Sequence, residues 1–261
     1  MRPVLDNPVT LFLVSMFLLI LAIEFGILLA RLTHASLDDV RRQQIYSTRD
    51  AMLVLLSLLL GFTLALGEPR FERRRQLVVD ESNAIGTTIL RAEMLPEPAR
   101  TNVENLLRRY VDSRLAFFRA ANDSEQIKAA LDDSDAVQAQ LWQQAVSVSQ
   151  SNPTPITALF VSTLNDTIDL DAKRREALED HIPTTVWVML ASISLLTSFT
   201  VGFAMPRRFW FSILVTPLMI SVVLALIADV DAPRSGFIQI SQRSMERLQS
   251  SLHSGTEPTK K

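Results

Sequence analysis

Side chains able to do chemistry are few in this chain, and none falls into a catalytic pattern. The three histidines, His34, His181 and His253, are far apart, and the chain has no cysteine, which removes disulfides, thiolate metal sites and thiol nucleophiles together. No glycine-rich phosphate loop, serine elbow or zinc-binding helix motif is present. No catalytic residue, metal site or cofactor is therefore expected. What remains is charge placed where charge is costly. Glu24 sits inside an apolar run, Asp80, Glu81 and Asn83 interrupt an apolar helical face, and Arg70, Arg73, Arg74 and Arg75 follow directly on an apolar segment.

Each placement carries its own expectation. An intramembrane carboxylate such as Glu24 faces a bundle interior, a partner or water. It is read either as a near-interface group paired with Arg31 or as a transport or ion site. Asp80, Glu81 and Asn83 are expected in helix contacts, because the apolar period resumes at Ile85 and Ile89. Asn165, Asp169, Arg174 and Arg175 are further polar candidates for such contacts, with Arg108 and Arg109 as additional cationic partners. Leu58, Phe62 and Leu66 recur every fourth residue and form one ridge just before the arginines. The ridge packs in a bundle or, if several subunits surround an axis, forms a hydrophobic pore constriction that gates by dewetting. Arg70, Arg73, Arg74 and Arg75 would then line a charged vestibule.

The elements that hold these residues are helices throughout. With 48% hydrophobic and 21% charged residues, the 261-residue chain is too apolar for an ordinary soluble domain and too charged to lie wholly in a membrane. The net charge of -2 gives no field for nucleic acid. Four apolar runs, about 9–30, 51–67, 184–205 and 209–228, are long enough to span a bilayer. They divide the chain into a membrane hairpin (1–67), a helical domain (68–182), a second hairpin (183–229) and a C-terminal segment (230–261). The expected fold is all-α: an integral membrane protein with a helical cytoplasmic domain between spans 2 and 3.

The stretch 31–50 is expected to be an exposed polar connection. A long helix is expected beyond residue 51, with Pro69 as a site for a kink. Leu95-Pro96-Glu97-Pro98 ends it, and a helix runs over 99–121. A third starts at the Asn122-Asp123-Ser124 caps and breaks near Ser134; a fourth starts at Thr154-Pro155 and runs to about His181. Ser192, Ser194, Thr197, Ser198, Thr200 and Gly202 make the third span rich in small polar residues, a composition that suits close helix packing. The tail SLHSGTEPTKK has a composition typical of disorder. Six Arg residues, among them Arg31, Arg49 and Arg208, flank one side of the spans, and eleven Lys or Arg, among them Arg2, Arg70 and Arg234, the other. The richer side is expected to be cytoplasmic, with both termini there and the chain in a bacterial inner membrane.

Several ordered blocks carry a family resemblance. They are RFERRRQLVVDESNAIGTTILRAEMLPEPAR, LLRRYVDSRL, LNDTID with Arg174 or Arg175 following, HIP before the third span, and DAPRSGFIQISQ after the fourth. Together they resemble the uncharacterised bacterial bestrophin-like domain family over nearly the whole chain. The resemblance implies a four-span integral membrane protein. A remoter likeness, in topology and in the Arg70-Phe71-Glu72 turn, points to the true bestrophins. It implies a pentameric homo-oligomer in the lipid bilayer that conducts anions or cations along its second helix. Two functions stay open: a homo-oligomeric ion channel with span 2 lining the pore, and a non-conducting scaffold or sensor that binds a partner through its cytoplasmic helices.

Overall fold

The computed structural model describes residues 7–33, 39–120, 123–205, 208–232 and 236–254. Among these residues every regular element is a helix. In chain order they are α1 (Pro8–Thr33), α2 (Asp39–Ala92), α3 (Ala99–Arg119), α4 (Ser124–Ser151), α5 (Pro155–Glu179), α6 (Thr184–Phe203), α7 (Trp210–Asp231) and α8 (Arg243–Ser254). Four of the helices are long and apolar enough to cross a membrane, as the hydropathy pattern predicted.

The chain divides into two compact units. One takes the chain up to Phe71 and again His181–Ile238; the other takes Glu72–Asp180 and the segment from Gln239 onward. The 54-residue helix α2 contributes to both and, at 1.5 Å per residue, is about 81 Å long. It passes through Pro69 without ending.

In the first unit, Leu19 and Ile23 of α1, Leu56 and Leu60 of α2, Leu190 of α6 and Leu224 and Ile227 of α7 are buried, and α1 packs along both α6 and α7. Gly26 of α1 and Gly202 of α6 meet backbone to backbone: a methyl group on Gly26 would strike the Phe199 carbonyl, and one on Gly202 the Ile23 carbonyl. Gly202 therefore serves the close helix packing expected of the third span, and Ser194, Thr197 and Ser198 are buried beside it, whereas Ser192 is exposed.

The second unit is a bundle around Ile85, Val103, Leu107, Val111, Leu115, Val137, Leu141, Phe160, Leu164 and Met245. Its helices start where their caps dictate. Asp123 accepts from the amides of Glu125 and Gln126 at the head of α4, and Thr154 accepts from Thr157 ahead of Pro155 in α5.

Asp39–Asp50 of the polar connection is largely exposed, as expected, and it is also helical, because it has no breaker and its charges fit a solvated helix surface. Two expectations fail. The Asp132–Asp135 run does not break α4 at Ser134, which is itself buried. Ser251–Ser254 of the tail belong to α8, whose Met245 enters the core while Leu248 and Leu252 pack against it; residues 255–261 lie outside the described residues.

Candidate functional site: a buried ion-pair cluster and the open face of helix α2

Glu81 lies at the centre of the second unit and is fully buried. It sits one turn before Ile85 on α2, so the helix that buries Ile85 carries the carboxylate inward with it. Its Oε1 accepts from Arg114 Nε at 2.7 Å and from the Tyr110 hydroxyl at 3.3 Å. Its Oε2 accepts from Arg174. Arg114 also pairs with Asp171 at 2.6 Å, and Asp171 pairs with Arg175 at 2.7 Å. Gln138 of α4 donates to Asp171 at 2.8 Å and to the Tyr110 hydroxyl at 3.1 Å. Arg174 reaches the segment before α8 through Gln242 at 2.6 Å and lies over the Phe118 ring at 4.6 Å.

The inner cluster balances two carboxylates against two guanidinium groups, the condition for burying charge at all. Burial alone pushes the Glu81 carboxyl up, but Arg114, Arg174 and their hydrogen bonds outweigh it and hold the group below its ordinary range. Burial pulls Arg114 down, and Glu81, Tyr110 and Asp171 more than restore it. Burial and the neighbouring Glu81 charge raise the Tyr110 phenol well above its ordinary value. With charges fixed in this way the cluster ties helices together and is unsuited to proton transfer near neutral pH.

The polar residues singled out in the sequence separate clearly. Glu81 and Arg174 are in the cluster and Arg175 lies at its edge, bonded to Asp135 and Asp171. Asp80 is half-buried and accepts from Gln76 at 2.9 Å. Asn83, Asn165 and Asp169 are exposed, and Asn165 donates to Asp169 on the same helix at 3.2 Å. Arg108 and Arg109 bond Asn105 and Asp133 at the surface, so the cationic partners of Glu81 are Arg114 and Arg174 instead. Arg114, Tyr110 and Asp171 are what the sequence reading missed. Their signal was spacing: Tyr110 and Arg114 are one turn apart on the face of Leu107 and Val111, and Asp171, Arg174 and Arg175 share one row of α5.

The four arginines of the cluster after the apolar run also separate. Arg74 is buried and donates to the carbonyls of Ala177, at 2.8 Å, and Asp180, closing the C-terminal end of α5. Arg73 and Arg75 are exposed, and Arg75 pairs with Glu72 at 3.2 Å. Arg70 folds back one turn to the Leu66 carbonyl at 3.1 Å. Glu24 of α1 is paired with Arg208, which precedes α7, rather than with Arg31.

The ridge on α2 faces outward. Leu58, Phe62 and Leu66 are 51%, 60% and 56% exposed, whereas Leu56, Leu60 and Thr63 on the opposite side are buried in the first unit. Gly61 and Ala65 lie beside the ridge, also exposed, and nothing lies within 4 Å of the place a Gly61 side chain would occupy. At the C-terminal end of α7, the buried carboxylates of Asp229 and Asp231 fix the backbone. Asp231 accepts from the Ile182 amide at 3.1 Å, and Asp229 accepts from Phe237 and Ile238. Among the described residues no three His, Asp or Glu side chains converge on a point that could hold a metal.

The profile of the bestrophin-like domain family matches residues 16–245. No curated protein matches the chain. Among solved structures, a bacterial bestrophin homologue from Klebsiella pneumoniae carrying a point substitution superposes with a TM-score of 0.67 at 12% identity, over 93% of this chain and 98% of that one. A structure described only as a membrane protein gives 0.67 at 13% identity, over 93% and 99%. The Klebsiella pneumoniae homologue phased on zinc gives 0.65 at 12% identity, over 93% and 99%. At such identities the likeness is one of fold, and it extends over nearly the full length of both chains. With four membrane-length helices, an all-helical second unit and a family profile that spans most of its residues, this chain belongs to the bestrophin-like domain family.

Proposed function

We propose that the chain assembles into a homo-oligomeric ion channel in the bacterial inner membrane, with the Leu58, Phe62 and Leu66 face of α2 lining the pore. The observation that carries this reading is the face itself. It is apolar, turned away from its own unit, and flanked by Gly61 and Ala65, which allow another helix to approach closely. Arg73 and Arg75, both exposed, and the half-buried Arg70 follow within three turns of the same helix. A dry constriction followed by positive charge is a gate with a vestibule attractive to anions. The second unit supports assembly separately. It exposes Leu90, Met94, Trp142 and Leu159 outside the apolar spans, where lipid tails cannot cover them. The resemblance to bestrophins suggests five subunits, and the distribution of Lys and Arg suggests that the helical domain and both termini are cytoplasmic.

The same exposed side chains of the second unit favour an alternative, a non-conducting scaffold whose helices receive a partner protein. Two measurements decide. The mass of the detergent-solubilised particle reports whether several copies assemble. Currents through reconstituted protein then compare wild type with Phe62→Ser, which hydrates the constriction without adding charge. The channel reading expects wild-type current in Na⁺, K⁺ or Cl⁻ solutions and a higher conductance with weaker closure in the variant. An intact oligomer that conducts in neither form leaves the scaffold.

A further inference from the structure

The arginines that follow the ridge on α2 do not share one face. Successive residues of a helix turn by about 100°, so a row of every fourth residue drifts by about 40° at each step and a row of every seventh by only about 20°. Leu66, Arg73 and Asp80 are spaced by seven. Measured from Phe62, the middle of the ridge, Arg73 lies about 20° round the helix, Arg70 about 80°, Arg74 about 120° and Arg75 about 140°. Arg73 alone continues the apolar face.

The contacts agree with the spacing. Arg70 is held by the Leu66 carbonyl at 3.1 Å, Arg74 by the carbonyls of Ala177 and Asp180, and Arg75 by Glu72 at 3.2 Å. Among the described residues Arg73 is exposed and makes no hydrogen bond or ion pair. Its guanidinium is left to water or to a passing ion. Asp80, next on the same row, is half-buried and accepts from Gln76 at 2.9 Å. It lies about 10 Å further along the helix, beyond the Debye length of about 8 Å at physiological salt, so it does not cancel the field at Arg73. We propose that Arg73 determines the charge selectivity of the pore: each copy sets one guanidinium at the same level beyond the constriction, and the ring admits small inorganic anions over cations. This inference rests on the reading of α2 as the pore-lining helix.

The chain has no cysteine, so Arg73→Cys gives one thiol per copy whose charge can be set after folding. Glu68→Cys is the control: Glu68 is exposed on the same helix but turned about 120° from Phe62. Both full-length variants and the wild type are reconstituted in planar bilayers, and the reversal potential is read in a KCl gradient before and after a cationic or an anionic methanethiosulfonate. The wild type should prefer Cl⁻, and Arg73→Cys should lose that preference. The cationic reagent should restore it and the anionic reagent reverse the sign of the reversal potential, whereas Glu68→Cys should keep the wild-type value under both. In 1 M salt, where the Debye length is about 3 Å, the wild-type preference should shrink. Four results would overturn the assignment while leaving the pore standing: a wild type that prefers K⁺, a preference undiminished in 1 M salt, an equal shift at Glu68→Cys, or one reversal potential for Arg73→Cys under both reagents with their added mass confirmed. No current in any form from an intact oligomer would instead reject the pore reading, and this assignment with it.

Discussion

At the scale of single residues, the second unit depends on Glu81. Two arginines from different helices, Arg114 and Arg174, converge on one carboxylate, so removing it strands both guanidinium groups in a dry interior. Breaking a buried pair from one side costs about 3–5 kcal/mol, whereas an exposed pair such as Arg75 with Glu72 contributes about 0–1. Glu81→Ala should therefore lower the unfolding midpoint of the purified protein clearly and Glu72→Ala hardly at all, measured by denaturant titration. The sign of the pH effect is also set. Because the folded Glu81 carboxyl lies below its unfolded value of about 4.3, the unfolded chain binds the extra proton. Its stabilisation is complete above that pH and disappears as pH falls through the lowered folded value. The gap in stability between wild type and Glu81→Ala should accordingly narrow on acidification below about pH 4. Glu81 was legible in the sequence because it breaks an apolar period that resumes one turn later. Of its partners Arg174 was a candidate, but Arg114 was not: Arg108 and Arg109 stand out as a doublet yet bond Asn105 and Asp133, while Arg114, a single charge between Ser113 and Leu115, occupies the buried face.

At the scale of elements, sequence and structure agree wherever a local rule decides. Pro96 and Pro98 end α2, Asp123 and Thr154 start α4 and α5, and apolar length marks the spans. They part where a rule of composition was applied to a helix that tertiary contacts complete. Ser251–Ser254 looked like tail because its composition is polar, but α8 is held by Met245 in the core, by the Ser82 hydroxyl on the Ser244 carbonyl at 3.0 Å, and by Gln249 on Asp112 at 2.6 Å. Two glycines separate the internal packing of the first unit from its outward face. Gly202→Val would force α6 off the α1 backbone, and overpacking of this kind costs about 1–3 kcal/mol or more, so a loss of folded protein is expected. Gly61→Val meets open space within the chain and should leave the helical circular dichroism unchanged. If α2 faces meet in an oligomer, the Gly61 variant alone should change the particle mass. Equal behaviour of the two variants in both assays would contradict this division.

At the scale of the whole molecule, orientation decides which solution the arginines of α2 meet. The Lys and Arg asymmetry leads us to expect residues 68–182 in the cytoplasm, and surface labelling tests this directly. Because the chain lacks cysteine, single cysteines report without background. Asp39, Lys128 and Ser251 are exposed and suit that purpose. In intact spheroplasts an impermeant maleimide should label Asp39→Cys and leave Lys128→Cys and Ser251→Cys unreacted until the membrane is opened. Labelling of Lys128→Cys and Ser251→Cys with Asp39→Cys protected would invert the topology, and Arg73 and Arg75 would then face the outside solution. Different behaviour at Lys128 and Ser251 would contradict an even number of crossings between them and so remove one of the four spans. The expected pattern would put the positive stretch of α2 on the cytoplasmic side of the apolar ridge, where anions approaching from the cytoplasm meet attraction before the dry constriction.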